Sequence, residues 1–296
     1  MKSGFIGIIG RPNVGKSTLM NAILGEKIAI TADKPQTTRN KIRGIYTKIT
    51  GEEDDVQLIF IDTPGIHKPR NKLGSLMTDM ALHTLREVDV IIFMTDSRKG
   101  PGDEYILDIL KETETPVILA INKIDKLEPE LFRSIYEEYD GTGIFKNIFG
   151  ISALDGTNIQ ALLSVLVGLT EEGPMYFPED MVTDHPERFL VCEIIREKAL
   201  HYLEEEVPHG IAVEIERYEE KERLTSIGAV IYCEKKSHKG IIIGKGGKKL
   251  KGIGKSARLE IEGLLGTKVF LELWVKVREN WRDSRFSMSE FGYKEE

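Results

Sequence analysis

The feature that most constrains this chain lies near its start. Gly10-Arg11-Pro12-Asn13-Val14-Gly15-Lys16-Ser17 fits the Gly-x-x-x-x-Gly-Lys-Ser pattern of a phosphate-binding loop. It follows the apolar run Phe5–Ile9 and precedes a helix-forming stretch, the order in which that pattern carries meaning. The glycines let successive backbone N–H groups turn toward one anion, and the helix N-terminus adds the positive end of its dipole. The loop therefore predicts an α/β domain with a ligand crevice at the C-terminal ends of its strands.

The pattern of apolar runs agrees. Phe5–Ile9, Val56–Ile61, Val90–Thr95, Val117–Ile121 and Ile148–Ile151 are short and continuously apolar, as strands of a mostly parallel sheet covered on both faces must be. Arg43–Ile49 instead alternates polar with apolar, which predicts an edge strand. With a turn over Gly51–Asp55 it makes an antiparallel hairpin with Val56–Ile61, so the sheet is mixed. Residues 171–186, broken by Pro174, Pro178 and Pro186, read as a linker. Beyond it come a helix at Glu187–Leu203, strands at Ala212–Tyr218 and Ile227–Tyr232, a Gly/Lys-rich stretch, a helix around Ser256–Leu265 and a last strand at Val269–Val277. That order is α–β–β–α–α–β, an α+β domain. The division is 1–170, a linker at 171–186, and 187–296.

With 296 residues the chain has room for two cores, and its net charge of −7 does not by itself suggest a nucleic-acid partner. Its two cysteines, Cys192 and Cys233, are too few for a disulfide framework or a structural metal site and read as reduced thiols. The strand-like start at Phe5 leaves no room for a signal peptide, and no apolar run approaches the roughly 20 residues needed to span a bilayer. A cytoplasmic protein is expected.

The residues of the first half divide into phosphate and base readers. Gly10, Arg11, Pro12, Asn13, Val14, Gly15, Lys16, Ser17 and Thr18 form the phosphate loop, with Lys16 reaching the β- and γ-phosphates and Ser17 placing its hydroxyl on Mg²⁺. Asp62-Thr63-Pro64-Gly65 follows a strand, so Asp62 can hold the Mg²⁺ and the Gly65 N–H can meet the γ-phosphate. Between them, Lys34-Pro35-Gln36-Thr37-Thr38-Arg39 offers a threonine to complete the Mg²⁺ shell only when the γ-phosphate is present, and Thr38 is preferred over Thr37. Asn122-Lys123-Ile124-Asp125 follows the Val117–Ile121 run. Asp125 can accept from guanine N1–H and the 2-amino group, donors that adenine lacks. Asn122 would address the major-groove edge of the base, the Lys123 stem would cross the ring, and Ser152-Ala153-Leu154 would offer a backbone N–H to guanine O6. In this order the motifs describe a GTP site.

Hydrolysis leaves two readings open. Ras-type switches orient the attacking water with a glutamine just after the Asp-x-x-Gly motif. Ile66 stands there, and it can neither donate nor accept a hydrogen bond. The chain either hydrolyses GTP by another route or senses nucleotide with little turnover. Asn13 favours the first: its side-chain oxygen can hold a K⁺ near the bridging β–γ oxygen, where charge develops. The expected catalytic set is Lys16, Asn13, Thr38 and Gly65.

In the second half, Lys235–Arg258 carries nine Lys/Arg and no Asp or Glu, a segregation that matters in an acidic chain. Gly244-Lys245-Gly246-Gly247 is a Gly-x-x-Gly loop, flanked by the apolar Ile241, Ile242 and Ile243 and by Lys248 and Lys249. KH domains clamp a single-stranded backbone of about four nucleotides with such a loop. Here the lysines would neutralise phosphates and the three isoleucines would line the groove for the bases.

Taken together, the phosphate loop, Pro35–Arg39, Asp62–Gly65, Asn122–Asp125 and Ser152–Leu154 resemble the G domain of the Era family of bacterial GTPases. Glu193–Lys198, Pro208-His209 and the Gly244–Gly247 loop resemble its C-terminal KH domain, so the likeness covers nearly the whole chain. It implies slow GTP hydrolysis, with the hydrophobic Ile66 normal for the group. It also implies binding near the 3′ end of small-subunit (16S) ribosomal RNA during 30S assembly, and some peripheral membrane association. A monomer is expected, with GTP or GDP, single-stranded ribosomal RNA and the 30S precursor as partners. The competing readings are an RNA-binding module whose G domain only senses nucleotide, and a tRNA-modifying GTPase, for which no cysteine or cofactor constellation is present. The tail from Phe286 to Glu296 could fold back onto bound RNA, but a frayed terminus is the preferred reading.

Overall fold

A computed structural model describes residues 1–34, 36–51 and 55–294, so Pro35 and most of the predicted turn over 51–55 lie outside the described residues. The chain separates into two units. The first comprises Met1–Ala29, Thr38–Pro69 and Gly74–Asp184; the second comprises Ile30–Thr37, Arg70–Leu73 and His185–Glu296.

The first unit is built on a six-stranded sheet in the order β2-β3-β1-β4-β5-β6. Its strands are β1 (Lys2–Gly10), β2 (Ile42–Lys48), β3 (Val56–Asp62), β4 (Val90–Thr95), β5 (Val117–Ile121) and β6 (Asn147–Gly150). All neighbours are parallel except β2 and β3, which pair antiparallel from Ile42↔Asp62 to Lys48↔Val56. β3, β4 and β5 are buried along their whole length, which is why their sequences are continuously apolar. Helices α1 (Lys16–Leu24), α2 (Lys72–Thr84), α3 (Pro101–Leu110), α4 (Pro129–Asp140) and α5 (Ile159–Leu169) connect the strands. Around Phe93, Ile9, Ile91 and Ile121 from the sheet pack Ile106, Leu110 and Tyr139 from the helices.

Residues 171–184 run along this unit as a strap. The side chain of the buried Gln57 accepts from the N–H groups of Tyr176 and Phe177 and donates to the Phe177 carbonyl at 2.8 Å. Ile45 N–H donates to Val182 O at 2.8 Å, and Phe5 meets Tyr176 edge to face. The prolines prevent a strand, and the backbone groups find partners on β2 and on Gln57 instead.

The second unit holds α6 (Glu187–Tyr202), β7 (Ala212–Lys221), β8 (Leu224–Cys233), α7 (Lys236–Ile243), α8 (Lys248–Leu265), β9 (Lys268–Val277) and α9 (Arg285–Glu290). β8 lies in the centre of its sheet, antiparallel to β7 and parallel to β9. Ile195 and Ala199 of α6 and Ile253, Ala257 and Ile261 of α8 fill its core. The α–β–β–α–α–β order is the one expected. The tail differs from the expected frayed end: Trp281 is fully buried, donates through Nε1 to Gly210 O at 2.9 Å and meets Phe291 and Tyr293 ring to ring. Its aromatic residues give that segment a reason to dock. Cys192 and Cys233 are free thiols.

Candidate functional site

The three predicted Mg²⁺ ligands converge. Ser17 Oγ donates to Asp62 Oδ2 at 2.6 Å and lies 2.9 Å from Thr38 Oγ1, which reaches the same carboxylate oxygen at 3.3 Å. Asp62 is fully buried, and among the described residues its other oxygen, Oδ1, has no hydrogen-bond partner. A buried carboxylate with a spare oxygen, flanked by two hydroxyls, is a hard oxygen donor set that suits Mg²⁺. Ser17, Thr38 and Asp62 are the residues that would hold the ion, which would neutralise charge on the β- and γ-phosphate oxygens. Thr37 does not share this position; its hydroxyl donates to Lys34 O at 2.6 Å.

The phosphate loop is shaped by steric limits. Gly15 has φ of 105°, and a Cβ on it would lie 2.2 Å from Asn122 Nδ2. Lys16 is buried, with its ammonium donating to Arg11 O at 2.9 Å, and burial pushes its pKa down to about 8. Burial acts the opposite way on Asp62, pushed up to about 6 although Lys16 pulls it down. Each side chain therefore resists its own charge where a metal-bound polyphosphate would compensate both. Gly65 packs against the loop so closely that a Cβ would lie 2.6 Å from Pro12 N. Ile66 is fully buried and its N–H donates to Gly10 O at 3.1 Å. Asn13 is exposed at φ of 64°, so its side chain is open to solvent beside the loop.

The base loops are tied to the phosphate loop. Asn122 is buried, donates to Val14 O at 2.8 Å and accepts from Ala153 N–H at 2.9 Å. It thus clasps three loops, which adds a positioning role to the base contact expected of it. Lys123, at φ of 63°, donates to Asn13 O at 2.8 Å and to Asp96 Oδ2 at 2.6 Å. Asp125 sits exposed on a short 3-10 turn, and Leu154 is 75% exposed.

Sequence reasoning missed the network behind the loop. Arg11 Nε donates to Asp103 Oδ1 at 2.8 Å and its NH2 group to Ser97 Oγ at 2.6 Å, while Asp96 lies 3.5 Å from Arg11. Asp103 also accepts from Gly100 N–H at 3.0 Å, capping α3. An acid three residues after Gly100 is a helix-start signal, but nothing in the sequence reveals its second bond to Arg11. In the second unit, Arg196 is fully buried, paired with Glu193 and bonded to Thr37 O, and Glu197 accepts from Thr31 N–H at 3.3 Å.

The Gly-x-x-Gly loop joins α7 to α8. Gly244, Gly246 and Gly247 all have φ between 61° and 73°, a backbone that β-carbon residues rarely adopt. Lys245 and Lys248 are exposed and Lys249 is half-exposed beside it. The three isoleucines do not all face the groove. They are the last residues of helix α7, so successive side chains point in different directions. Ile241 is 44% exposed, whereas Ile242 is fully buried in the core and cannot touch a base.

These loops and folds define a P-loop GTP-binding domain followed by a KH domain. Family models match accordingly, a 50S ribosome-binding GTPase over residues 5–123 and a KH domain over residues 206–282. GTPase Era of Alkaliphilus oremlandii is 59% identical over 99% of both chains, and GTPase Era of Clostridioides difficile is 55% identical over 99% of both. The chain belongs to the Era family of GTPases. Among solved structures, Era in complex with MgGDPNP and nucleotides 1506–1542 of 16S ribosomal RNA superposes with a TM-score of 0.95 at 42% identity, covering all of both chains. A variant of Aquifex aeolicus Era bound to GDP·AlF4⁻ gives a TM-score of 0.92 at 40% identity, again over all of both chains.

Proposed function

We propose that this chain is a Mg²⁺-dependent GTPase switch whose nucleotide state governs binding of single-stranded RNA near the 3′ end of 16S ribosomal RNA, in assembly of the small ribosomal subunit. One observation carries the coupling. Thr38 lies with Ser17 and Asp62, while the residues just before it pack into the second unit, where Thr37 O is held by Arg196 and Thr31 N–H by Glu197. Releasing Thr38 on hydrolysis withdraws the neighbouring carbonyl from a buried, charged arginine, a change the KH domain feels directly. The RNA target is supported by the 16S fragment bound to the related Era, and the clamp by the glycine loop with its lysines.

In this reading Lys16 and Gly65 address the γ-phosphate, Asn13 holds a K⁺ that stands in for an arginine finger, and Asp125 selects guanine. Turnover is slow because Ile66 offers no group to orient water. The protein acts as a monomer, and its contact with the membrane is peripheral, a point supported by the family likeness alone; among the described residues no helix is long and apolar enough to cross a bilayer. The test is to crosslink the chain to cellular RNA with a non-hydrolysable GTP analogue and with GDP, then sequence what is attached. One single-stranded site near the 16S 3′ end, enriched with the GTP analogue, is expected. A diffuse RNA population unchanged by nucleotide would contradict the proposal.

A further inference from the structure

Beside the phosphate loop, between the segment that follows Gly65 and helix α3, lies a cavity of about 570 Å³, within the size range of small-ligand sites. Pro12, Ile66, Pro69, Pro101 and Tyr105 give it apolar walls, and none of its lining residues is acidic. Arg11 also lines it, but its guanidinium is engaged by Asp103 and Ser97. Lys68 is exposed at the cavity, and among the described residues its ammonium has neither an ion pair nor a hydrogen bond. Tyr105 is 48% exposed. We propose that this cavity is a second ligand site, one that takes a small organic anion. An aromatic or aliphatic body fills the space along Pro12, Pro101 and Tyr105, and a carboxylate, sulfonate or phosphate group meets Lys68.

The cavity has a physical link to the switch. Its wall residue Pro12 is the one that a Cβ on Gly65 would strike, and its wall residue Ile66 is bonded through its N–H to Gly10 O. A ligand resting on Pro12, beside the buried Ile66, therefore keeps its contacts only while the segment at Gly65 holds this arrangement. By reciprocity, ligand and nucleotide then change each other's affinity. This coupling rests on the GTP-switch reading; the site itself rests on the cavity and Lys68.

The test uses the full chain carrying ¹³C-labelled isoleucine δ1 methyls, with Ile66 assigned through Ile66→Val. It is titrated with 8-anilinonaphthalene-1-sulfonate in the GDP state and with Mg²⁺ and a non-hydrolysable GTP analogue, nucleotide occupancy being checked by ³¹P resonances. The Ile66 methyl is expected to shift saturably, with affinities differing about fivefold or more between the two states. Lys68→Gln is expected to weaken the sulfonate roughly threefold or more and to leave the neutral N-phenyl-1-naphthylamine unchanged. An unmoved Ile66 methyl, or shifts confined to another residue such as Ile241, would overturn the site. Equal weakening of both probes by Lys68→Gln would overturn the anion, and equal affinity in two verified nucleotide states would overturn the coupling.

Discussion

Arg11 and Asp103 meet at 2.8 Å, the arginine from the phosphate loop and the aspartate from the first turn of α3. Asp103 is fully buried, and desolvation raises its pKa against the pull of Gly100 N–H and Arg11. Asp96 extends the chain of charge to Lys123, whose ammonium returns to Asn13 O. The phosphate loop is thus held from behind by Asp103, Ser97 and Asp96, residues outside the loops expected to read the nucleotide.

Asp103→Ala removes the α3 cap and leaves Arg11 without its main partner. It is expected to cost about 2 kcal/mol of stability in denaturant melts, since the arginine is partly exposed and recovers some hydration. It should also weaken binding of a fluorescent GTP analogue. Asp103→Asn, which can still accept from Gly100 N–H, should restore most of the stability but less of the nucleotide affinity.

Two substitutions separate the loops. In Gly15→Ala the new methyl meets Nδ2 of Asn122, whose side-chain amide donates to Val14 O and accepts from Ala153 N–H, so GDP and GTP affinity should fall together. In Gly65→Ala the methyl meets backbone at Pro12, which cannot move aside as a side chain can. GDP binding should stay near normal while GTP hydrolysis falls about a hundredfold, the scale of losing one preorganised donor. Equilibrium titration and single-turnover hydrolysis distinguish the two.

The pH dependence of the nucleotide-free chain follows from Asp62 and Lys16. With the Asp62 pKa raised from 3.8 to about 6, the folded chain binds more protons than the unfolded one between those values, so stability falls as pH rises through that window. With Lys16 lowered from 10.5 to about 8, the folded chain binds fewer protons there, so stability rises as pH climbs from 8 toward 10.5. Asp62→Asn should remove the acidic limb and stabilise the nucleotide-free protein at neutral pH by on the order of 2 kcal/mol, while abolishing Mg²⁺-dependent tightening of GTP. Melts across pH with and without Mg²⁺·nucleotide check both signs.

Much of this was legible in the sequence because it is local. Continuous apolar runs marked β3, β4 and β5, a polar–apolar alternation marked the edge strand β2, and the phosphate loop and base motifs lie in short, ordered stretches. What escaped were contacts between distant positions. Nothing near Gln57 says that a buried amide will hold residues 176 and 177, and nothing near Arg196 says that it will carry the carbonyl of Thr37. Ile242 was misplaced for a related reason: an apolar triplet beside a loop reads as a groove wall until the helix phase is known, and that phase turns Ile242 into the core.

The lysines around the glycine loop make a graded prediction. Replacing Lys245 and Lys248 by Gln should reduce the slope of log affinity against log salt for a single-stranded oligonucleotide by about 0.7 per lysine. An unchanged slope would mean that these lysines do not meet phosphates.

The most direct test of the central claim is the affinity of the full chain for a single-stranded oligonucleotide from the 3′ end of 16S ribosomal RNA. It is measured with Mg²⁺ and a non-hydrolysable GTP analogue and again with GDP, in wild type and in Arg196→Ala. The account predicts binding about tenfold tighter with the GTP analogue, and a ratio near one in the variant. The same affinity with both nucleotides in the wild-type chain would contradict it.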